Sequence, residues 1–213
     1  MTTRQLRIKY GLDRIVALLL SVLLAPLLLV IGVSIRIVDG HPVFFLQTRS
    51  GLEGRPFQVW KFRTMVVDAD RMLDESGNPT ENRISKTGRL LRSSSLDELP
   101  NLFNIVAGQM SFVGPRPTLP EQTAVYTAEQ RGRLRMKPGI TGLAQISGRN
   151  ALPWSRRIEL DNQYIHEYSL ISDARIIAKT VAVVLARRGI VMDRNPDQVL
   201  DLKADRAEEQ SSA

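Results

Sequence analysis

Hydrophobic positions along the chain form one long unbroken block, followed by short periodic ones. Ile15 to Ile35 runs 21 residues without a charge and is rich in Leu, Val and Ile. As a helix it reaches about 31 Å, the thickness of a bilayer's hydrocarbon core. A cleaved signal peptide fits poorly, because the run is too long and no small-x-small site follows before Arg36. A core helix apolar on every face would be unusual in a chain of 213 residues. Membrane association is the remaining reading.

The flanks and one proline bear on how that block meets the bilayer. Arg4, Arg7, Lys9 and Arg14 precede it against a single acid, Asp13, and Arg36 follows. A crossing helix would place one cationic flank outside, against the positive-inside tendency. A helix that enters and returns keeps both on the cytoplasmic side. Pro26, near the middle of the block, removes a backbone donor and clashes with the preceding turn, so a bend is easily specified there. The alternative is a spanning helix with a tolerated proline kink. Charge and proline together favour the re-entrant form.

Beyond Asp39-Gly40 the periodicity changes. Val43–Gln47 and Phe57–Phe62 are short β-prone runs around Gly51-Leu-Glu-Gly54, which predicts a hairpin with a glycine-rich turn. Met65, Ala69, Met72 and Leu73 fall at helical spacing within Met65–Asp74, and Ser76–Thr80 reads as a loop. Further helices are predicted over Leu96–Val106, from Pro120 to about Leu134, over Trp154–Tyr168 and, capped by Ser172-Asp173, over Ala174–Arg188. Gly, Pro and Thr interrupt the chain from Pro138 to Gly148. The last helix is amphipathic, with Arg175, Lys179, Arg187 and Arg188 at the margins of its apolar face, and suits either the core or a membrane surface. The fold class expected is α+β and mostly helical, a monotopic membrane protein with an N-terminal re-entrant helix and a short β-hairpin. Residues 1–38 form the basic flank and membrane helix, 39–192 a catalytic body on the cytoplasmic face, and 193–213 an acidic tail expected to be disordered.

Charge sharpens this division. The chain has 29 Lys and Arg against 22 Asp and Glu, a net +7. Six acids and three bases lie beyond residue 192, so the tail carries −3 and the remainder +10. A basic body of this kind suits an anionic partner: anionic lipid, a phosphorylated substrate or nucleic acid. Nucleic acid is disfavoured by an aromatic content of 6% and by the hydrophobic anchor. Without cysteine there is no disulfide, thiolate metal site or thiol nucleophile. His41 and His166 are too far apart in sequence for a histidine-rich metal cluster, and each reads as structural or surface.

Asp97-Glu98 is the leading chemical candidate. Adjacent carboxylates in a helix's first turn face its positive dipole end, can hold a magnesium ion together with a substrate phosphate, and can attack phosphorus. Ser95-Leu-Asp-Glu98 also matches a capping box, the structural alternative. Lys61 and Arg63 lie on one side of a predicted strand. Arg89 follows Thr87-Gly88, with Arg92 three residues on, and Arg116 is fixed between Pro115 and Pro117. Lys137-Pro-Gly-Ile-Thr-Gly142 offers a cation, the Thr141 hydroxyl and glycine amides, and Gly148-Arg149-Asn150 a further fork. Guanidinium groups pair bidentately with phosphate, and glycines let backbone amides approach it. No Walker-type loop or dinucleotide fingerprint is present.

Taken together these strings resemble one family, the bacterial sugar transferases or monotopic phosphoglycosyl transferases, in a small minimal form. They are Lys61-Phe-Arg-Thr-Met65, Ser85-Lys-Thr-Gly-Arg89, Ser95-Leu-Asp-Glu-Leu-Pro-Asn-Leu-Phe-Asn104, Met110-Ser-Phe-Val-Gly-Pro-Arg-Pro117, Lys137–Gly142 and Gln145-Ile-Ser-Gly-Arg-Asn150. The likeness covers about residues 9–190. It implies transfer of a sugar phosphate from a UDP-sugar to a polyprenyl phosphate, usually undecaprenyl phosphate, with release of UMP. This would occur at the cytoplasmic face of the bacterial inner membrane, at the start of a surface glycan or glycoprotein pathway. It further implies Asp97 as nucleophile and Mg2+ ligand through a phosphosugar-aspartate, Glu98 as a base or metal-positioning group, and Arg116 on phosphate. Lys61, Arg63, Arg89, Thr141, Arg149 and Asn150 are further candidate substrate contacts. Anionic membrane lipid is an expected partner, and homo-oligomerisation is left open. Where members often carry Ser-Pro at the membrane bend this chain has Ala25-Pro26, which removes a hydrogen-bond option and leaves the bend resting more on Pro26. A non-catalytic basic protein binding anionic lipid is the rival reading.

Overall fold

The computed structural model describes residues 2–72, 83–148 and 152–185. Leu73, Asp74, the loop Ser76–Thr80, Arg149, Asn150, the end of the last predicted helix and the acidic tail lie outside them. The apolar block forms two helices, α1 (Thr3–Leu23) and α2 (Ala25–Val38), bent by 62° at Leu24. Pro26 occupies the first turn of α2, where its missing N–H costs little and its fixed φ suits a helix start. No single helix among the described residues is long and apolar enough to cross a membrane. Ile15, Leu18, Leu19, Val22 and Leu23 of α1 and Leu29, Val30 and Val33 of α2 are exposed.

The opposite side of this pair is part of the folded body. Ala17 packs with Phe57, Val59, Leu102, Ile105 and Met110, while Ile31 and Ile35 pack with Phe62 and Leu91. Lys9 is 1% exposed. Its Nζ donates to Asp173 near the start of α8 (Leu170–Leu185), and Tyr164 Oη donates to the other Asp173 oxygen at 2.6 Å. Arg14 Nε donates to the Val106 carbonyl at 3.1 Å. Of the four bases before the apolar run, Lys9 is buried inside the protein and Arg14, though exposed, is tied to the Val106 carbonyl, while Arg4 and Arg7 are exposed.

The hairpin forms as predicted, with longer strands. β1 (Phe44–Ser50) pairs antiparallel with β2 (Pro56–Phe62), Phe44 opposite Phe62 and Ser50 opposite Pro56. The turn at Leu52–Gly54 places Glu53 and Gly54 at positive φ, where glycine is suited. Alternation places Phe57, Val59 and Lys61 on the body side. Phe44, Trp60 and Phe62 cluster on the other, where Phe62 is buried against α2, and Phe103 meets Trp60 edge-on.

Several expected helices are broken. Met65 pairs with Ile84, Asp68 takes a left-handed φ of 62°, and only Ala69–Arg71 makes a single 3-10 turn. Leu96–Val106 divides into a 3-10 turn at Leu96–Glu98 and α4 (Asn101–Val106), because Pro100 has no N–H to continue the ladder. The stretch from Pro120 divides into α5 (Pro120–Ala124) and a 3-10 segment at Gln130–Arg135. The Gly/Pro-rich segment, read as an interruption, holds β4 (Gly139–Thr141), parallel to β3 (Ser111–Val113), and then α6 (Leu143–Ser147). Gly114 and Gly139 make this pair feasible: a Cβ on Gly139 would lie 2.2 Å from the Gly114 nitrogen. α7 (Trp154–His166) matches its prediction closely. α8 begins one turn before Ala174, and Ser169 and Ser172 exchange side-chain-to-backbone bonds at its start. It buries Ile176 against Val113, Met136 and Tyr164 yet leaves Ile171, Ile177 and Val181 exposed, so it serves the core on one side only.

Candidate active site

The two carboxylates are presented by a short, sharply turned segment. α3 (Lys86–Ser94) is capped by Ser85 Oγ, which accepts from Gly88 N at 2.9 Å. It lies so close to the end of the hairpin that a Cβ on Gly88 would meet the Thr64 carbonyl at 2.0 Å. The helix stops at Ser95, whose φ of 57° reverses the chain into the 3-10 turn. Leu96 and Leu99 pack inward against the Ile35–Phe62–Leu91 cluster, which leaves Asp97 and Glu98 partly exposed, with Glu98 lining a cleft. The capping-box expectation is corrected here. Ser95 makes no side-chain cap bond, and the Glu98 carboxylate is engaged elsewhere.

Glu98 Oε1 accepts from Lys61 Nζ at 2.7 Å and from Arg116 Nη2 at 2.9 Å. Burial opposes its ionisation, but the charges and hydrogen bonds of Arg116 and Lys61 outweigh burial and hold it well below the usual carboxylate range. Asp97 is half-buried and, among the described residues, has no hydrogen-bond or ion-pair partner at contact distance. Burial first, and the Glu98 charge second, push its pKa up to about 6 against the pull of Lys61, Arg92 and Arg116. Neighbouring carboxylates with oppositely displaced pKa values have separated roles: one fixed as an ion, one poised near neutrality.

The sequence-predicted residues divide clearly. Lys61, Asp97, Glu98 and Arg116 come together. Arg63 does not: its guanidinium donates to the carbonyls of Asp39, Gly40 and His41, so it secures the end of α2 instead of facing a substrate. Arg89 is exposed on α3 with no bond to either carboxylate. Thr141 is buried and its hydroxyl shares a 2.7 Å bond with Thr180 of α8, a packing role.

Other contributors were given no individual role from sequence, although Arg92 was noted beside Arg89. Arg92, three residues beyond Arg89, reaches Thr64 Oγ1 at 2.8 Å through Nε and places its charge near Asp97. Asn104 holds the hairpin to α4, accepting from Trp60 N at 3.0 Å and donating to the Gln58 carbonyl at 2.6 Å, which fixes the strand carrying Lys61. Arg133, fully buried, donates to Asp161 at 2.6 Å, to Tyr126 Oη at 2.6 Å and to the Arg116 carbonyl at 2.9 Å. It thereby holds the backbone from which Arg116 reaches Glu98. The available signal was the run Arg131, Arg133, Arg135, in which nothing distinguishes the buried member.

The donor chemistry suits a magnesium ion. Asp97 offers hard oxygens with no contact cation, and burial and the neighbouring Glu98 charge raise its pKa, so a bound cation would favour its ionised form. The described residues contain no group of three or more acids or imidazoles that could cage a metal. An ion here would be held by Asp97 and completed by substrate phosphate and water, the usual arrangement for magnesium in phosphoryl transfer.

The sequence profile of the bacterial sugar transferases matches residues 4–187. The chain is 48% identical over 158 residues to the uncharacterised sugar transferase EpsL of Bacillus subtilis, covering 73% of this chain and 76% of that one. It is 37% identical over 196 residues to the exopolysaccharide production protein ExoY of Sinorhizobium fredii, covering 85% and 87%. A UDP-glucose:undecaprenyl-phosphate glucose-1-phosphate transferase of Klebsiella pneumoniae is 42% identical over 179 residues, which cover 79% of this chain but 38% of that longer protein.

Proposed function

The chain belongs to the bacterial sugar transferase family, and from that premise we propose that it is a phosphoglycosyl transferase moving a sugar phosphate from a UDP-sugar to undecaprenyl or another polyprenyl phosphate. Asp97 is the nucleophile. One of its oxygens bonds to the β-phosphorus while the bond from that phosphorus to the bridging oxygen breaks, and UMP leaves with the electron pair. A phosphate oxygen of the lipid then attacks the same phosphorus and expels the Asp97 carboxylate. The observation that carries this reading is the pairing of an uncontacted, half-buried Asp97 with a Glu98 pinned by Lys61 and Arg116.

Lys61, Arg92 and Arg116 supply positive charge around the reacting phosphates, the main requirement of phosphoryl transfer. Glu98, held ionised by two cations, is a weak base, so its contribution is to orient Lys61 and Arg116. Mg2+ held by Asp97 would neutralise diphosphate charge. The exposed apolar sides of α1 and α2 enter the cytoplasmic leaflet of the inner membrane and return, with Arg4, Arg7 and Arg36 meeting anionic headgroups. A lipid phosphate then meets the carboxylates without leaving the headgroup plane. The product begins a surface polysaccharide or glycoprotein glycan.

Donor radiolabelled in its β-phosphate should mark the polypeptide at Asp97, discharge on addition of undecaprenyl phosphate, and fail to label Asp97→Asn. Active turnover with no label at residue 97 would refute the two-step scheme.

A further inference from the structure

One buried polar group beside the carboxylates has no assigned task. Asn101 opens α4 and is 2% exposed, and its Oδ1 has no hydrogen-bond partner among the described residues. Asn104, one turn later and equally buried, is a useful contrast, because both ends of its carboxamide are satisfied by the hairpin and Gln109. Buried acceptors left unpaired are uncommon and costly, so one that persists beside a binding cleft calls for a ligand-based account.

Asn101 lines the cleft that holds Lys61, Glu98 and Arg116, together with Arg49 and Met110. Arg49 is braced along β1 by Gln47 Oε1, which accepts from its Nη2 at 2.6 Å. The lining thus combines cations suited to phosphate oxygens with one acceptor that needs a donor. The two substrates of the proposed reaction differ in this respect. A polyprenyl phosphate, ionised at neutral pH, offers only acceptors. A nucleotide sugar adds hydroxyls and the uracil N–H.

We infer that Asn101 Oδ1 accepts a hydrogen bond from an O–H or N–H of the bound nucleotide sugar and so helps the cleft distinguish the sugar-phosphate donor from the lipid acceptor. The inference rests on the phosphoglycosyl transferase reading and assigns the donor subsite within it. The wall formed by Asn101, Arg49 and Lys61 is the donor side, and the hydrogen bond completes only when the nucleotide sugar is seated. A site built to pair with a substrate hydroxyl or N–H strongly rejects ligands that lack it.

The test uses full-length protein in detergent, with Asn101→Leu and Asn101→Ala, the UDP-hexose of a panel that best supports UMP release, and undecaprenyl phosphate. The KM for the UDP-hexose should rise at least tenfold in both variants, while the KM for undecaprenyl phosphate stays within twofold. The Tm of the ligand-free protein should be unchanged or higher, since the unpaired group is gone. Product inhibition by UMP separates the two sources of the hydrogen bond: weakening assigns it to the nucleoside, and retention assigns it to the sugar. An unchanged UDP-hexose KM, an equal rise in both KM values, or a lowered Tm in both variants overturns the inference while leaving the parent reaction standing. Absence of UMP release by the unmodified protein across the panel overturns the parent reading, and this inference with it.

Discussion

Replacing Asp97 by Asn should stabilise the ligand-free protein near neutral pH while abolishing turnover. The fold raises the Asp97 pKa from an ordinary 3.8 to about 6, chiefly by burial and then by the Glu98 charge. A carboxylate raised in this way favours the folded state when neutral. Its contribution is fully present below the unfolded pKa near 4 and is lost as pH rises through 6. At pH 8 the native protein carries the whole cost of the ionised side chain, and the isosteric amide does not. Two units of displacement correspond to about 3 kcal/mol at most, and solvent screening of a half-buried group reduces this to roughly 1–3 kcal/mol. For a chain of this size that is about 2–4 °C in Tm per kcal/mol. The assay is thermal unfolding of detergent-solubilised wild type and Asp97→Asn from pH 4 to pH 8. The Tm advantage of the variant should be smallest at pH 4, grow chiefly between pH 4 and pH 6, and level off by pH 7. A variant less stable than wild type at pH 8, or an advantage independent of pH, would refute the assignment of Asp97 as a carboxylate under electrostatic strain.

Three further outcomes are expected. Glu98→Gln should lower kcat by roughly 10- to 100-fold, the loss expected when charge-assisted bonds to Lys61 and Arg116 are weakened. It should also move the acidic limb of the pH–rate profile to lower pH, because a raising influence on Asp97 is removed; an unmoved profile would mean that the titrating nucleophile is not Asp97. Arg133→Met should destabilise the protein by about 3–5 kcal/mol by leaving Asp161 buried and unpaired. Adding Asp161→Leu should recover much of that stability in denaturant melts but not activity, since the Arg116 carbonyl stays unheld; full recovery of activity would show that Arg133 does not position Arg116. Cysteines introduced singly at residues 3 and 60 should be labelled from the same side of intact inner-membrane vesicles, and labelling from opposite sides would establish a crossing helix.

The sequence was most informative where a local rule acted alone. The hairpin followed from alternation around a glycine turn, and the break in the apolar block from Pro26. Lys61, Asp97, Glu98 and Arg116 were put forward on the resemblance to a family and not on a local rule, and the fold brings these four together. It was least informative where distant backbone decides. Nothing near Arg63 shows that three carbonyls at the end of α2 will claim it. The positive φ of Ser95, which converts an expected continuous helix into a turn presenting two acids, depends on packing of Leu96 and Leu99 against α2 and β2. The parallel β3–β4 pair is three residues per strand and depends on glycine contacts across 25 positions, too little for periodicity to register. Asn101 and Asn104 are the same residue type one turn apart, and only the fold reveals that one is satisfied and the other is not.

The burial of Lys9 has a practical corollary for anyone hoping to excise a water-soluble version of this protein. A fragment starting after Val38 would strand Asp173 without its cation, leave the end of α4 unbraced by Arg14, and open the Phe57–Ile105 wall that Ala17 closes. The greasy amino-terminal stretch is therefore structural masonry, whatever else its exposed side meets. Truncation should yield an aggregating polypeptide, and purification has to carry the intact chain through solubilisation.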